Sequence, residues 1–284
     1  MSVIGVVVHQ HRPVAVNLAR TTIDWAEAAG SEVRMPLDDA ELVGRPDLGR
    51  DDGALAATID LAVSLGGDGT MLRTVRLVAA HDVDVLGVNV GQLGYLTEVE
   101  PGGLEGALER YAAGDFAIES RLLLSVRAER AGAGADEYLA LNEAVLEKTS
   151  AGHTVRLAVD IDGEFFTTYA TDGLIVATPT GSTAYAFSAR GPIVAPDHRA
   201  LLVTPVSPHM LFDRTLVLGP EVSLGITVTG HRPAQLAVDG RTVGTLTEGD
   251  RLVCGASGHS ARLVTFGPRH FHRILKAKFG LNDR

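Results

Sequence analysis

Cysteine is nearly missing from this chain: Cys254 is the only one in 284 residues. A single thiol excludes an internal disulfide, a C-x-x-C redox pair and a zinc centre built on several thiolates. Lysine is scarce too, occurring only at Lys148, Lys276 and Lys278, so arginine carries nearly all the positive charge. Positive net charge is also lacking, the formal charge being -10. An acidic chain does not draw nucleic acid or anionic lipid by its overall field, so neither nucleic acid nor a membrane is expected as a partner. No apolar run is long enough to span a bilayer. The apolar start, Met1 to Val8, has no basic leader and no cleavage-site pattern; it reads as a first strand, and the expected compartment is the cytoplasm. The familiar phosphate loops are missing as well. No lysine follows a glycine as in a Walker A loop, no full G-x-G-x-x-G follows a strand, and no G-x-S-x-G elbow occurs. A phosphate ligand must then be held by backbone amides, a helix N-terminus, a few arginines or a metal ion.

What is present is ample apolar sequence, 45% hydrophobic against 21% charged, enough for two modest domains with real cores. Over the first hundred residues strand-like and helix-like segments alternate. Ile4 to Val8 is a buried strand, Pro13 opens a helix over Val14 to Ala29, and Gly30 stands where a terminal glycine belongs. Val33 to Met35 is a short strand, and residues 38–58 read as a loop with a short helix. Leu61 to Leu65 and Val83 to Asn89 are further strands, with a helix to about Ala80 between them. This is the rhythm of a doubly wound parallel sheet. Near residue 118 it gives way to successive strands. Asp162-Gly163 and Asp239-Gly240 read as hairpin turns, and Ala131 to Asp136 as a small flexible loop between strands. The expected organisation is an α/β domain over residues 1–118, a β-rich, β-sandwich-like domain over 119–266, and a C-terminal helix within 267–284 packing back on the first.

The most informative short segment is Gly66-Gly67-Asp68-Gly69-Thr70, at a buried strand's end and a helix's start. Its glycines permit positive φ and close ligand approach. Its helix N-terminus suits phosphate. Asp68 among such groups serves either as general base toward a hydroxyl or as anchor for Mg²⁺. Arg73 lies within reach of the turn; Arg76 belongs to a solvated face. The alternative is a plain turn.

A second constellation starts with Asn142-Glu143 inside an apolar strand from Tyr138 to Leu146. Adjacent strand residues point to opposite faces, so one polar group of the pair is buried, which is costly without a partner. Such a pair suits hydroxyls or a purine edge; a strand end with a turn is the plainer account. Thr171 to Ala177 then leads into the hydroxyl-dense run Thr178 to Tyr185 and a helical stretch through Ser188. Tyr185 is placed to stack on a base, while Ser182 or Thr183 reads equally as an N-cap. His9 and His11, like His270 and His272, read as solvated residues at element ends. His153 and His209 are better candidates for ligand contact. No metal site of the protein's own is expected.

Taken in order, Gly66 to Thr70, Asn142-Glu143, Asp172 to Ser188 and Pro205-Val206-Ser207-Pro208-His209 resemble the NAD kinase family, as does the stretch Gly87 to Leu96. The resemblance spans almost the whole chain. It implies phosphoryl transfer from ATP or polyphosphate to the 2'-hydroxyl of the adenosine ribose of NAD, giving NADP, with Mg²⁺ carried by the donor and Asp68 as general base. It implies that Gly67, Gly69 and Arg73 stand at the phosphates and that Asn142 and Glu143 hold ribose and adenine groups. It further implies that Thr183, Ala184, Tyr185, Ala186, Phe187 and Ser188 seat adenine and that Asp172 contacts the nicotinamide side. His153, Ala170 and Arg241 fall at dinucleotide-contacting positions but depart from the pattern, since relatives carry basic residues at the first two and often Gln at the third. Family members are homodimers or homotetramers. The rivals are a diacylglycerol-type lipid kinase, which shares the Gly-Gly-Asp-Gly-Thr turn, a more distant phosphofructokinase, and a non-catalytic NAD(P)-binding sensor.

Overall fold

The computed structural model describes residues 2–281 except Gln92, Leu93, Ala133 and Arg269. The expectations for Gly87 to Leu96 and Ala131 to Asp136 therefore fall partly outside the described residues, as does the first residue of the Met1 to Val8 run. In chain order the elements are β1 (Val3–Val8), α1 (Pro13–Ala28), β2 (Glu32–Pro36), α2 (Leu37–Val43), β3 (Gly49–Arg50), α3 (Asp52–Ala56), β4 (Leu61–Gly66), α4 (Asp68–Val78), β5 (Asp84–Asn89) and α5 (Leu104–Ala112). There follow β6 (Ala117–Arg130), β7 (Gly134–Ala140), β8 (Glu143–Lys148), β9 (Val155–Ile161), β10 (Glu164–Thr171), β11 (Gly173–Ala177), α6 (Tyr185–Ser188), β12 (Leu201–Val206) and β13 (Leu216–Leu218). The last are β14 (Leu224–Val228), β15 (Ala234–Val238), β16 (Arg241–Leu246), β17 (Arg251–Thr265) and α7 (Phe271–Lys278). Two compact units result: one is Arg121–Ser260, and the other is the chain on either side of it.

The first unit is a parallel sheet in the order β3-β2-β1-β4-β5, continued by Arg262 and Leu263 at the end of β17. Every residue of β4 is buried, as expected of a strand covered on both faces. Pro13 sits in the first turn of α1, where its missing N–H costs nothing, and Ala15, Ala19, Ile23 and Ala26 form the helix's buried stripe. Gly30, at φ 71°, adopts the left-handed conformation just past the helix end. The direction of strand addition reverses between β1 and β4, so the carboxyl ends of these two strands flank a topological switch point, where ligands of such sheets bind.

Residues 38–58 are more ordered than a loop with one helix. They hold most of α2, a 3₁₀ turn at Pro46–Leu48, β3 and α3. Asp39 decides this locally: its buried carboxylate accepts the Val8 N–H at 2.8 Å, tying α2 to the end of β1. The helix α5 was not anticipated either, although Leu104, Ala107 and Leu108 have helical spacing and are its buried face.

The second unit is antiparallel. One sheet runs β10-β9-β14 to the start of β17, the other β13-β12-β11-β8-β15-β16, and side chains from both fill a common core that includes Leu157, Ile226, Leu146, Val176 and Leu236. Asp162-Gly163 and Asp239-Gly240 close hairpins with both central residues at positive φ, the geometry that matches strand twist. The expected loop Ala131 to Asp136 is shorter than read, because β7 resumes at Gly134 and pairs with Arg130.

Candidate functional site

In the first unit the turn after β4 is built as a helix start. Gly67 is the N-cap of α4 and Asp68 its first residue. The three glycines do not work through positive φ, since none of Gly66, Gly67 and Gly69 adopts it. Gly66 is required by contact instead: a Cβ there would fall 2.1 Å from the Thr70 hydroxyl. Gly67 and Gly69 face open space, so a ligand can lie directly against their backbone. The space is a cleft of about 690 Å³ lined by Val8, His9, Gln10, His11, Arg12, Gly67, Gly69, Thr70, Arg73, Val90 and Gly91. The N-terminal ends of α1 and α4 border it, as do two guanidinium groups.

Sequence reasoning missed one wall of this cleft. His9, half-buried, and His11, exposed, do stand at the end of β1, and there they line the cleft, with Gln10 and Arg12 between and beside them. The signal was available, since the loop after β1 must share the switch point with the turn after β4. Arg12 donates to the Val90 carbonyl. Arg73 donates to the Asp39 carboxylate at 2.9 Å and to the Val8 carbonyl at 3.3 Å while lining the cleft.

Asp68 is held from another segment. Its Oδ2 accepts the Tyr95 N–H at 3.0 Å and its Oδ1 the Leu96 N–H at 3.1 Å. A Cβ at Gly94 would sit 2.3 Å from Oδ1, so glycine is needed there. Burial, and then the charge of Asp68, raise the pKa of the Tyr95 phenol.

In the second unit the polar pair Asn142-Glu143 does not lie inside one strand. β7 ends at Ala140 and β8 starts at Glu143, so Asn142 lies in the break and Glu143 opens the next strand. Asp239 makes that break possible by accepting the N–H groups of Leu141, Asn142 and Glu143 at 2.8, 2.8 and 3.1 Å. The hydroxyl-dense run docks on the same point. Thr178 donates its N–H to the Asn142 carbonyl and its hydroxyl to the Leu141 carbonyl, and a Cβ on Gly181 would lie 2.1 Å from the Asn142 oxygen. Ser182 and Thr183 are not side-chain caps, because Ser182 Oγ donates to the Val194 carbonyl and Thr183 to the Thr180 carbonyl.

Glu143 is buried with Oε2 lacking a partner. Burial, and then the charge of Asp239, push its carboxyl up to about 8, against a smaller opposing effect of the Tyr185 backbone N–H. Near neutrality it therefore carries a proton and can donate as well as accept. Tyr185 donates its hydroxyl to Glu147 at 2.5 Å; burial, and then that bond, raise the phenol to about 12. Ala186 is buried, while Phe187 and Ser188 are exposed. Asp172 pairs with Lys148 at 2.7 Å. Lys148 and His153 line a pocket of about 370 Å³, and Ala170 an adjoining one of about 230 Å³ that shares Thr154, His231 and Arg232. His209 is exposed, its N–H on the Ala170 carbonyl, and Arg241 is exposed at the Asp239-Gly240 hairpin.

The sequence-nominated residues thus gather within their own units. Gly67, Asp68, Gly69 and Arg73 meet in the first. In the second, Asp239 holds Asn142 and Glu143, Tyr185 reaches Glu143 through its backbone N–H and Glu147 through its hydroxyl, and Asp172 pairs with Lys148 of β8. Among the described residues no three His, Cys, Asp or Glu side chains gather as a metal site.

Residues 52–116 match the ATP-NAD kinase N-terminal domain and residues 141–266 the ATP-NAD kinase C-terminal domain. A NAD kinase of Heliobacterium modesticaldum is 42% identical, covering 98% of this chain and 98% of its own. One of Syntrophotalea carbinolica is 35% identical over 100% of both. Among solved structures, yeast NADH kinase complexed with NADH superposes with a TM-score of 0.92 at 25% identity, over 100% of this chain and 89% of that one. A NAD kinase from Archaeoglobus fulgidus in complex with ATP superposes with a TM-score of 0.74 at 25% identity, over 100% of both.

Proposed function

The chain belongs to the NAD kinase family, and we propose that it makes NADP by moving a phosphoryl group from ATP or polyphosphate to the adenosine-ribose 2'-hydroxyl of NAD, with Asp68 taking the hydroxyl proton. NAD kinase activity itself follows from that membership. The diacylglycerol-type lipid kinase and the non-catalytic sensor lose their ground, since both halves of the chain match ATP-NAD kinase domains.

The observation that carries the role of Asp68 is its position between two glycines that open onto the cleft, with both oxygens fixed by backbone amides. Phosphoryl transfer asks the protein mainly for positioning and charge neutralisation. Arg12, Arg73 and two helix starts supply fixed positive ends for donor phosphates. Among the described residues lining the cleft none carries a carboxylate, Asp68 standing between two of them without itself lining it, which favours Mg²⁺ arriving with the donor over a resident ion. In the second unit, Asn142 and Glu143 offer hydrogen bonds to ribose and purine, and Tyr185 with its neighbours forms an adenine seat. Asp172, His153, Ala170 and Arg241 complete the dinucleotide contacts.

A homodimer or homotetramer is part of this reading. Its support is an exposed apolar surface on the second unit, where Phe165 and Leu211 are 70% and 104% exposed and Phe166 meets Phe212 edge-on at 5.8 Å. The cytoplasm is the proposed compartment, supported by a lone, buried and unpaired cysteine. No helix among the described residues is long and apolar enough to cross a membrane. The test of function is direct: incubate the protein with NAD, Mg²⁺ and either ATP or polyphosphate, and measure NADP. No NADP with either donor would overturn the reading.

A further inference from the structure

One of the chain's few lysines stands beside the carboxylate assigned to catalysis. Lys278, in the last turn of α7, has its Nζ 3.9 Å from Asp68 Oδ2. The same ammonium lies 4.4 Å from the centroid of the Tyr95 ring. Tyr95 in turn gives its backbone N–H to that same Oδ2. One residue therefore touches Asp68 through its amide and seats the lysine through its ring, which closes a three-membered arrangement. Both charged side chains are only partly exposed, at 28% and 34%. A lysine in the last turn of a helix also balances the helix dipole. Lys276 occupies that turn as well, so the dipole alone does not require Lys278 to lie over this ring. Nor does packing: α7 has no fully buried residue.

We propose that Lys278 is a positioning residue of the transfer reaction, its ammonium holding the Asp68 carboxylate against the Tyr95 and Leu96 amides. The proposal rests on Asp68 being the proton acceptor. A carboxylate on one short side chain can rotate, and proton transfer needs it at hydrogen-bond reach of the hydroxyl. Two amides fix the plane of the carboxylate; the ammonium over the ring adds a charge that favours the same rotamer from outside the turn. Sequence distance hides the relationship, because Asp68 lies in the first third of the chain and Lys278 close to its end.

The test is a double-mutant cycle on the full-length protein. Lys278→Met should lower kcat about fivefold, the upper range for a pair this exposed, with KM for NAD and the melting temperature little changed. Lys278→Arg should keep most of the turnover, since a guanidinium retains the charge and also stacks on an aromatic ring. In an Asp68→Asn background, Lys278→Met should have no further effect on the residual rate. Wild-type kcat in Lys278→Met, or an equal loss in both backgrounds, overturns the proposal while leaving Asp68 as base. Wild-type turnover in Asp68→Asn overturns both. If Lys278→Met does not fold, Tyr95→Leu removes the ring that seats the ammonium; it should lower kcat similarly, and an unchanged kcat would overturn the proposal.

Discussion

Arg73 donates to Asp39 at 2.9 Å across a gradient of exposure: the carboxylate is fully buried, while the guanidinium is 28% exposed and opens onto the cleft. Asp39 also accepts the Val8 N–H, and Arg73 also reaches the Val8 carbonyl. The arginine is thus pinned to the end of β1 on one side and open to the cleft on the other. Arg73→Met would strand a buried carboxylate. Because the partner is partly solvated, the expected cost is about 2 kcal/mol, below that of breaking a fully buried pair. The KM for the donor should rise as well. Arg73→Lys should restore only part of both, since one ammonium cannot reproduce the forked geometry. Urea unfolding together with donor titration checks this, and a lysine variant equal to wild type would rule out the fork.

Asp68→Asn should lose on the order of 10²–10⁴-fold in turnover, the usual worth of a general base, while still binding NAD. The amide keeps the shape but cannot take the proton, and its NH2 can no longer accept one of the two backbone N–H groups that hold Asp68. Calorimetric NAD binding and initial rates separate the two effects, and near-wild-type turnover would remove Asp68 from the reaction.

These two residues show how far the sequence could be read. The Gly-Gly-Asp-Gly-Thr turn was legible because strand, turn and helix start are local, and the wide spacing of strands and helices revealed the parallel sheet. The Asp39–Arg73 pair was not, because nothing in residues 38–58 marks one aspartate among several as the buried one. The break at Leu141-Asn142 was hidden for a similar reason. Its sequence reads as a continuous apolar strand, and the three amides freed there are taken by Asp239, almost a hundred residues away. His9 to Arg12 were legible in principle: once the turn after β4 is a candidate site, the loop after a neighbouring parallel strand belongs to it.

Chelation should abolish activity. The cleft offers arginines, amides and helix ends, with no carboxylate among the described residues of its lining, so the metal is expected with the donor phosphates. EDTA should stop NADP formation and excess Mg²⁺ should restore it. Tight Mg²⁺ binding by the protein alone, measured by calorimetry without nucleotide, would contradict a donor-borne ion.

Glu143 gives stability a pH dependence of definite sign. Its carboxyl titrates near the ordinary value of 4.5 in the unfolded chain and at about 8 in the folded one, because burial and the nearby Asp239 disfavour the anion. Between these values the folded protein holds a proton that the unfolded chain has released. Stability must therefore fall as pH rises from about 4.5 to about 8 and level off above. Each unit is worth ~1.4 kcal/mol, so the total is a few kcal/mol at most. Glu143→Gln keeps the size and hydrogen-bonding capacity and removes the titration. Urea midpoints for both proteins across this range should converge toward low pH, diverge in favour of the glutamine variant through the window, and run parallel above it. Parallel curves throughout would mean that Glu143 is ionised in the folded protein at neutral pH, and that it meets a ligand hydroxyl as an acceptor only.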